Sequence, residues 1–417
     1  MKSIYQKVLI IGGGAREHAI GWKIKKDNPG VELFFAPGNA GTQEIGENIE
    51  TTAIDDLKYF AVKESIDLTI VGPEAELVEG IVDTFKAEEL AIFGPDKVAA
   101  MLEGDKAFAK KFMEKYGVKT AFSKTFDYFV DARDYVKALK EFPIVIKASG
   151  LAAGKGVIIV NDAAEAEETL RKIMLDKSFG DAGDSVVIEE YLKGFEVSIL
   201  SIFNKKEITT FLPVKDHKKI GNGETGLNTG GMGVIAPNPL FTKEHMAEFE
   251  KNILIPTQKG LIEENLLFAG IIFFGLMVTE KGIYLLEYNM RFGDPETEAL
   301  LPLMENNLLE VISAAKAKEP IDLKWKDQHA CCVVMASGGY PGNYEKGFEI
   351  RGLDKVEVPV FIAGAQNYQD KVITSGGRVL NVVGVGNTLE EAREIAYSNI
   401  KKIKFDYEYY RSDIGEI

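Results

Sequence analysis

The chain has 417 residues, 46% of them hydrophobic and 27% charged, which is ordinary globular composition and length enough for several domains. Forty-nine Lys and Arg stand against 64 Asp and Glu, a net charge of −15, so general binding to nucleic acid or to an anionic membrane is not expected. Two adjacent cysteines, Cys331 and Cys332, exclude a disulfide framework and a cysteine-rich zinc site.

The longest apolar run, 266–278, is too short to span a bilayer. The opening MKSIYQKVLIIGG enters a strand at once and lacks a signal-peptide pattern. A soluble cytoplasmic protein is the expectation.

The first hundred residues alternate strands and helices. Val8–Ile11, Val31–Phe35, Leu68–Val71 and Ala91–Phe93 read as short buried strands, with helices over 15–26 and 76–89. This rhythm predicts a parallel sheet covered by helices on both faces, with ligands at the carboxyl ends of its strands. Each strand runs into a Gly- or Pro-rich tip: IGGGAREH at 11–18, APGNAG at 36–41, VGPEAE at 71–76 and FGPDK at 93–97. A long helix over 97–116 then leads into an α+β region. Strands are expected there at 144–148, 157–160, 186–190, 196–203, 208–212, 270–278 and 283–288, with a helix at 243–264. Residues 221–233 read as a glycine-rich loop. From about 330 the pattern becomes β-rich, with strands at 330–336, 356–362 and 378–385 and a helix at 388–403.

Neither glycine-rich turn fits a standard nucleotide motif. In IGGGAREH the third position of a dinucleotide fingerprint holds Glu17, and the second strand ends without an acid for a ribose. Amides at a helix N-terminus still suit an anion; the alternative is that these glycines only permit a tight turn. In SGLAAGKG at 149–156, Gly156 stands where a Walker loop needs Ser or Thr. Such a hook can nonetheless cover a triphosphate with amides. Lys147 before it reads equally as a phosphate contact or a snorkelling edge lysine.

The stretch YLLEYNMRFGDPETE at 284–298 carries the most chemistry. Strand alternation puts Leu285, Glu287 and Asn289 on one face and Leu286, Tyr288 and Met290 on the other. Two hard oxygen donors on one face suit magnesium shared with phosphate. Arg291 falls on the same face and can neutralise phosphate or grip a carboxylate. Asp294 before Pro295 reads as a helix cap. His18 is open between a buried structural role and a substrate contact, and His217 leans toward function. The two cysteines should point to opposite sides of a strand, and Tyr407, Tyr409 and Tyr410 should dock the last helix.

With these residues in view the chain resembles the ATP-grasp ligases, and among them the phosphoribosylamine–glycine ligases. The resemblance rests on GGGAREHA at 12–19, PGNAGT at 37–42, VGPEAELVEGIVD at 71–83, KASGLAAGKGV at 147–157, DHKKIGNGETGLNTGGMG at 216–233 and LEYNMRFGDPE at 286–296. It implies an N-terminal α/β substrate domain at 1–104, a two-lobed ATP-grasp region at 105–325 with a flexible small lobe at about 122–192, and a small β-rich domain at 326–417. It implies ATP-dependent joining of glycine to 5-phosphoribosylamine through glycyl phosphate, with no obligate protein partner.

Roles follow by matching residues. Glu287 and Asn289 should ligate Mg2+ or Mn2+. Lys106, Lys147 and the hook residues Gly154, Lys155 and Gly156 should meet the ATP phosphates. Glu189, Glu190, Tyr191 and Leu192 should read adenine through backbone groups, and Glu196 the ribose. Gly14, Arg16, Glu17, Pro37, Gly38, Asn39, Gly72, Pro73 and Glu74 should line the phosphoribosylamine pocket. Asp216, Lys218 and Arg291 should hold glycine, phosphoribosylamine or the transferred phosphate. Two other readings are an ATP-grasp enzyme with a different acceptor and a catalytically silent nucleotide-binding regulator.

Overall fold

Strand Lys7–Gly12 is the centre of a five-stranded, all-parallel sheet in the order 47–48, 32–37, 7–12, 68–71, 92–93. The computed structural model describes residues 5–152 and 155–416. The central strand is apolar at every interior position because both its faces are covered. Val8 and Ile10 pack into one core, and Leu9 and Ile11 into another on the opposite side.

Two expected helices are broken. The stretch at 76–89 divides into Glu74–Glu79 and Ile81–Ala87, because Gly80 adopts φ +104°; only glycine takes that conformation readily. The stretch at 97–116 divides into Lys97–Gly104 and Lys106–Tyr116. Asp105 between them is extended, and its carboxylate accepts from the amides of Ala107 and Phe108. An N-cap inside an apolar-periodic run is a restart signal that the periodicity conceals.

The next segment forms an antiparallel sheet of strands 123–126, 186–190, 144–148 and 157–160. Helices Phe129–Ala138 and Ala163–Leu170 cover it. Its core, from Ala132 to Ile188, shares no residue with the other cores, so this lobe is packed as a unit of its own.

A second antiparallel sheet joins strands 208–210, 194–204, 269–279 and 282–289. The helical stretch beneath it runs from Lys243 to Glu263 with one widened turn at Glu250–Leu254. Pro256 has no N–H to return to Asn252. The Asn252 carbonyl accepts instead from the Lys119 amide at 3.0 Å.

The last sheet runs 215–216, 233–236, 329–337, 378–386, 360–362, with 408–409 also on 329–337. The glycine-rich segment 221–233 is therefore not a bare loop. It takes part in a hairpin, Lys219–Gly221 against Thr225–Asn228, and begins a strand at Gly233. The strand expected from 356 starts only at Val360, after Pro359, which cannot donate to a ladder. Cys331 and Cys332 point to opposite sides into different cores, both fully buried. Among the described residues no helix is long and apolar enough to cross a membrane.

One core runs from the first parallel sheet through helices Glu296–Leu303 and Leu308–Ala317 into the last sheet. His18 reinforces this junction. Its Nδ1 accepts from the Ile362 amide at 2.9 Å, and its ring stands edge-on to Phe361. The structural role is thus the one the geometry supports. Burial pushes the His18 pKa down to about 4.

The unfolded chain, with His18 near its ordinary value, binds the proton first, so stability is lost as pH falls from about 6.5 toward 4. In denaturant melts, His18→Gln, which retains an acceptor, should lose less stability than wild type between pH 6.5 and 4.5. Parallel curves would show that His18 does not carry this dependence.

Candidate active site

At the tips of the parallel sheet the three glycine-bearing turns meet. Glu17, on the first turn of helix Ala15–Asp27, accepts from the Gly14 amide at 2.6 Å and pairs with Arg16. Arg16 also donates to the Phe292 carbonyl at 3.3 Å. Gly72 must lack a side chain, since a Cβ there would overlap the Glu17 carboxylate. Gly13 lies against Gly38, where a Cβ would come within 2.6 Å of the carbonyl. The Asn39 carboxamide is committed to structure: its oxygen accepts from Gly41 and Thr42 amides, and its nitrogen donates to Ile362 and Gly13 carbonyls. Pro73 precedes the helix that starts at Glu74. Glu74 faces Arg291 at 3.2 Å. Against the effect of burial, Arg291 and Arg16 hold the Glu74 carboxyl below its ordinary value.

Strand Gly282–Asn289 supplies the pair of oxygen donors. Glu287 lies opposite Gly275, and Leu285 opposite Leu276, so Leu286 is an extra residue in a bulge. The bulge corrects one expectation. Leu285 packs in the core with Tyr288 and Met290 rather than on the face of Glu287 and Asn289, because an inserted residue reverses the alternation. It also turns the Leu286 carbonyl toward Lys147, which donates to it at 3.2 Å. Against the effect of burial, Lys218, Lys147, Lys106 and Arg291 hold the Glu287 carboxyl below its ordinary value. Arg291 reaches Asn289 Oδ1 at 3.4 Å and Glu103 at 3.1 Å.

Lys147 and Lys110 both pair with Glu189, each at 2.9 Å. The Glu189 side chain is therefore held inside. Glu190 accepts from the Phe122 amide, and Tyr191 is exposed. Lys106 sits on the restarted helix, donates to the Gly150 carbonyl at 3.3 Å, and has its own amide on Ser149. Burial, opposed by Glu287, lowers the Lys106 pKa. Lys155 is exposed and Gly156 is buried at the end of the hook; Gly154 lies outside the described residues. Glu196 is ion-paired with Lys218 at 2.7 Å.

Asp216 is enclosed next to Glu296, and burial first, then the Glu296 charge, push its carboxyl well above its ordinary value. Gly231 makes room there: at φ +111° a Cβ would stand 2.5 Å from Pro295 and 2.8 Å from Asp216 Oδ1. Asp294 does not cap the following helix. Pro295 occupies the cap position with no side-chain bond, and Asp294 pairs with Arg378 at 3.0 Å. An arginine is the stronger partner for that carboxylate.

These features place lysines, a carboxylate–carboxamide pair and an arginine around one cleft between two antiparallel sheets. Family models described as phosphoribosylglycinamide synthetase match most of the chain: the N domain over residues 6–103, the ATP-grasp (A) domain over 104–297 and the C domain over 330–417. The chain belongs to this family.

The phosphoribosylamine–glycine ligase of Fusobacterium nucleatum is 55% identical over 99% of this chain and 98% of its own length. That of Clostridium acetobutylicum is 51% identical over 98% and 99%. The crystal structure of the Thermotoga maritima enzyme superposes with a TM-score of 0.88 at 35% identity, covering 98% of this chain and all of that one. The biotin carboxylase domain of the 2-oxoglutarate carboxylase from Hydrogenobacter thermophilus, solved with magnesium and ADP, has a TM-score of 0.76 at 15% identity over 98% and 92%, a likeness of fold alone. The central region is an ATP-grasp fold, and members of that family use ATP with a divalent metal.

Several residues around this cleft were not singled out from sequence. Glu103 accepts from the Met290 amide at 2.6 Å and pairs with Arg291. Glu296 accepts from Ser198 at 3.2 Å. Arg378 donates to the Gly230 carbonyl at 2.7 Å while holding Asp294. The Gly-Gly-Arg order at 376–378, opening a strand, is the local signal that marks Arg378. Glu103, inside an apolar-periodic helix, offers none.

Proposed function

We propose that this chain joins glycine to 5-phosphoribosylamine at the expense of ATP, giving glycinamide ribonucleotide, ADP and phosphate for purine synthesis. The observation that carries the reading is the convergence of Lys106, Lys147, Glu287, Asn289 and Arg291 on one cleft, beside the Gly14–Glu17, Pro37–Asn39 and Gly72–Glu74 turns, in a chain of this family.

A carboxylate oxygen of glycine attacks the γ-phosphorus, the bond to the β-phosphate oxygen breaks, and ADP leaves. The sugar amine then attacks the acyl carbon, the carbon–oxygen bond to phosphate breaks, and the amine loses a proton. Phosphoryl transfer of this kind needs positioning and charge neutralisation more than covalent help. Lys106 and Lys147 supply cations to the ATP phosphates. Glu189–Leu192 present backbone to adenine, and Glu196 lies at the ribose. Arg291, Lys218 and Asp216 hold glycine and the transferred phosphate, and the sheet-tip turns hold phosphoribosylamine.

The chemistry of the donors fits a hard cation: an ionised carboxylate and a carboxamide oxygen on one strand face, beside phosphate-binding lysines. Glu287 and Asn289 would hold Mg2+, or Mn2+ in its place, which when bound neutralises phosphate charge. We assign residues 1–104 to the amine substrate, 105–325 to ATP and 326–417 to closing the site. The lobe at 122–192, with its separate core, swings the Lys155–Gly156 end of the hook over the phosphates and excludes water from the acyl phosphate.

ADP release should require glycine and freshly made phosphoribosylamine together with ATP and magnesium, and mass spectrometry should show glycinamide ribonucleotide. A folded chain that binds ATP yet releases no ADP with both substrates present refutes this reading.

A further inference from the structure

The segment 215–236 is a ribbon that bends at Lys218. Asp216 pairs with Val234, Thr229 donates twice to the Lys218 carbonyl, and the outer hairpin 219–228 projects beyond. Asp216 and Lys218 lie on the side facing Glu287 and Glu196. Alternation turns His217 between them to the back, where it is only 2% exposed.

The C-terminal tail grips that back face. The Gly415 amide donates to His217 Nε2 at 3.3 Å, so Nδ1 carries the proton and donates to Glu224 at 2.8 Å. Arg411, 1% exposed, donates to Glu224 at 2.9 Å, to both oxygens of Asp413 at 2.8 Å, and to the Lys219 carbonyl at 2.9 Å. Tyr409 donates to the Ile220 carbonyl at 2.6 Å, rather than docking the last helix, and Asp413 accepts from the Gly223 amide at 2.7 Å.

The hairpin has little else to hold it, since strand Thr225–Asn228 is exposed along its whole length. Across a small cleft, Asn228–Gly230 face Lys155 of the hook and Tyr340. A two-stranded hairpin is marginal alone, whereas a buried guanidinium bonded bidentately to a carboxylate is rigid and strong.

We propose that Arg411 and Glu224 are positioning residues of the ligation. Through His217 and the Lys219 carbonyl they fix the ribbon that presents Asp216 and Lys218 and faces the hook, keeping water from glycyl phosphate until the amine attacks. The inference rests on the ligase reading. If the ribbon loosens, a water oxygen attacks the acyl carbon, the carbon–oxygen bond to phosphate breaks, and glycine and phosphate are released. ATP is then hydrolysed without product.

The test counts ADP and glycinamide ribonucleotide in the same reaction for wild type, Glu224→Ala, Arg411→Lys and Tyr409→Phe, with melting temperatures alongside. Wild type should form one ADP per product. Glu224→Ala and Arg411→Lys should lower kcat about tenfold and raise ADP per product severalfold, and Tyr409→Phe should do so less. Coupled turnover in wild type with a ratio that stays at one in Glu224→Ala overturns the positioning role, whatever kcat does. If Arg411→Lys does not fold, Glu224→Ala decides, because Glu224 is half-exposed and Arg411 keeps Asp413 as a partner. A folded, ATP-binding wild type that forms no product overturns the ligase reading itself, and the positioning role falls with it.

Discussion

Glu287→Ala should lower kcat by about a thousandfold, the scale expected when a group that organises developing phosphate charge is removed. Its fold should survive. The carboxylate sits among Lys106, Lys147, Lys218 and Arg291, but three of these cations keep other partners: Lys147 has Glu189, Lys218 has Glu196, and Arg291 has Glu74 and Glu103. The fourth, Lys106, is half-buried and keeps its hydrogen bond to the Gly150 carbonyl, so the truncation strands no fully buried charge, and the melting temperature should hold within a few degrees. ADP release and a thermal melt on the same preparation check both halves. Turnover at the wild-type rate would remove Glu287 from the metal site.

Arg291→Met should be inactive and also unstable. Glu103 is buried, and the arginine is the cation that pairs with it; removing one member of a buried pair costs about 3–5 kcal/mol. Burial and the neighbouring Glu74 already raise the Glu103 pKa above its ordinary value, opposed mainly by Arg291. With that opposition gone, the folded chain binds the Glu103 proton more tightly than the unfolded chain does. Relative to wild type, the stability of Arg291→Met should therefore increase as pH is lowered from 7.5 toward the ordinary 4.5 of a glutamate. The double variant Arg291→Met/Glu103→Gln should recover much of the lost stability at pH 7.5 and none of the activity. Denaturant midpoints at the two pH values separate these outcomes. A single variant as stable as wild type at pH 7.5 would show that the pair is not a buried ionic contact.

The two variants probe different kinds of information. Glu287 and Asn289 stand two apart in a strand, and that spacing places both on one face whatever lies around them. Glu103 and Arg291 meet across 188 positions of chain, and nothing local to Glu103 distinguishes it from a solvated helix acid. The same division runs through the fold. Val8–Ile11 is legible as a doubly covered strand because all four of its residues are apolar. Asp105, by contrast, ends one helix and starts another inside a single periodic run, and only the pairing of Ser149 with its carboxylate shows why the restart lies beside the hook.

The amino-acid order by itself determined the βαβ rhythm, the glycine- and proline-rich tips of its strands, the two turns that are not standard nucleotide loops, and the paired donors before Arg291, since these depend on the periods of strands and helices and on glycine and proline. The bulge at Leu286, the Asp294–Arg378 pair, the Glu103–Arg291 contact and the tail on the back of His217 were decided only by tertiary structure. Each joins residues from separate elements, or reverses a face because a neighbouring strand sets the register, and a period of two or 3.6 residues carries no record of which distant segment will pack against it.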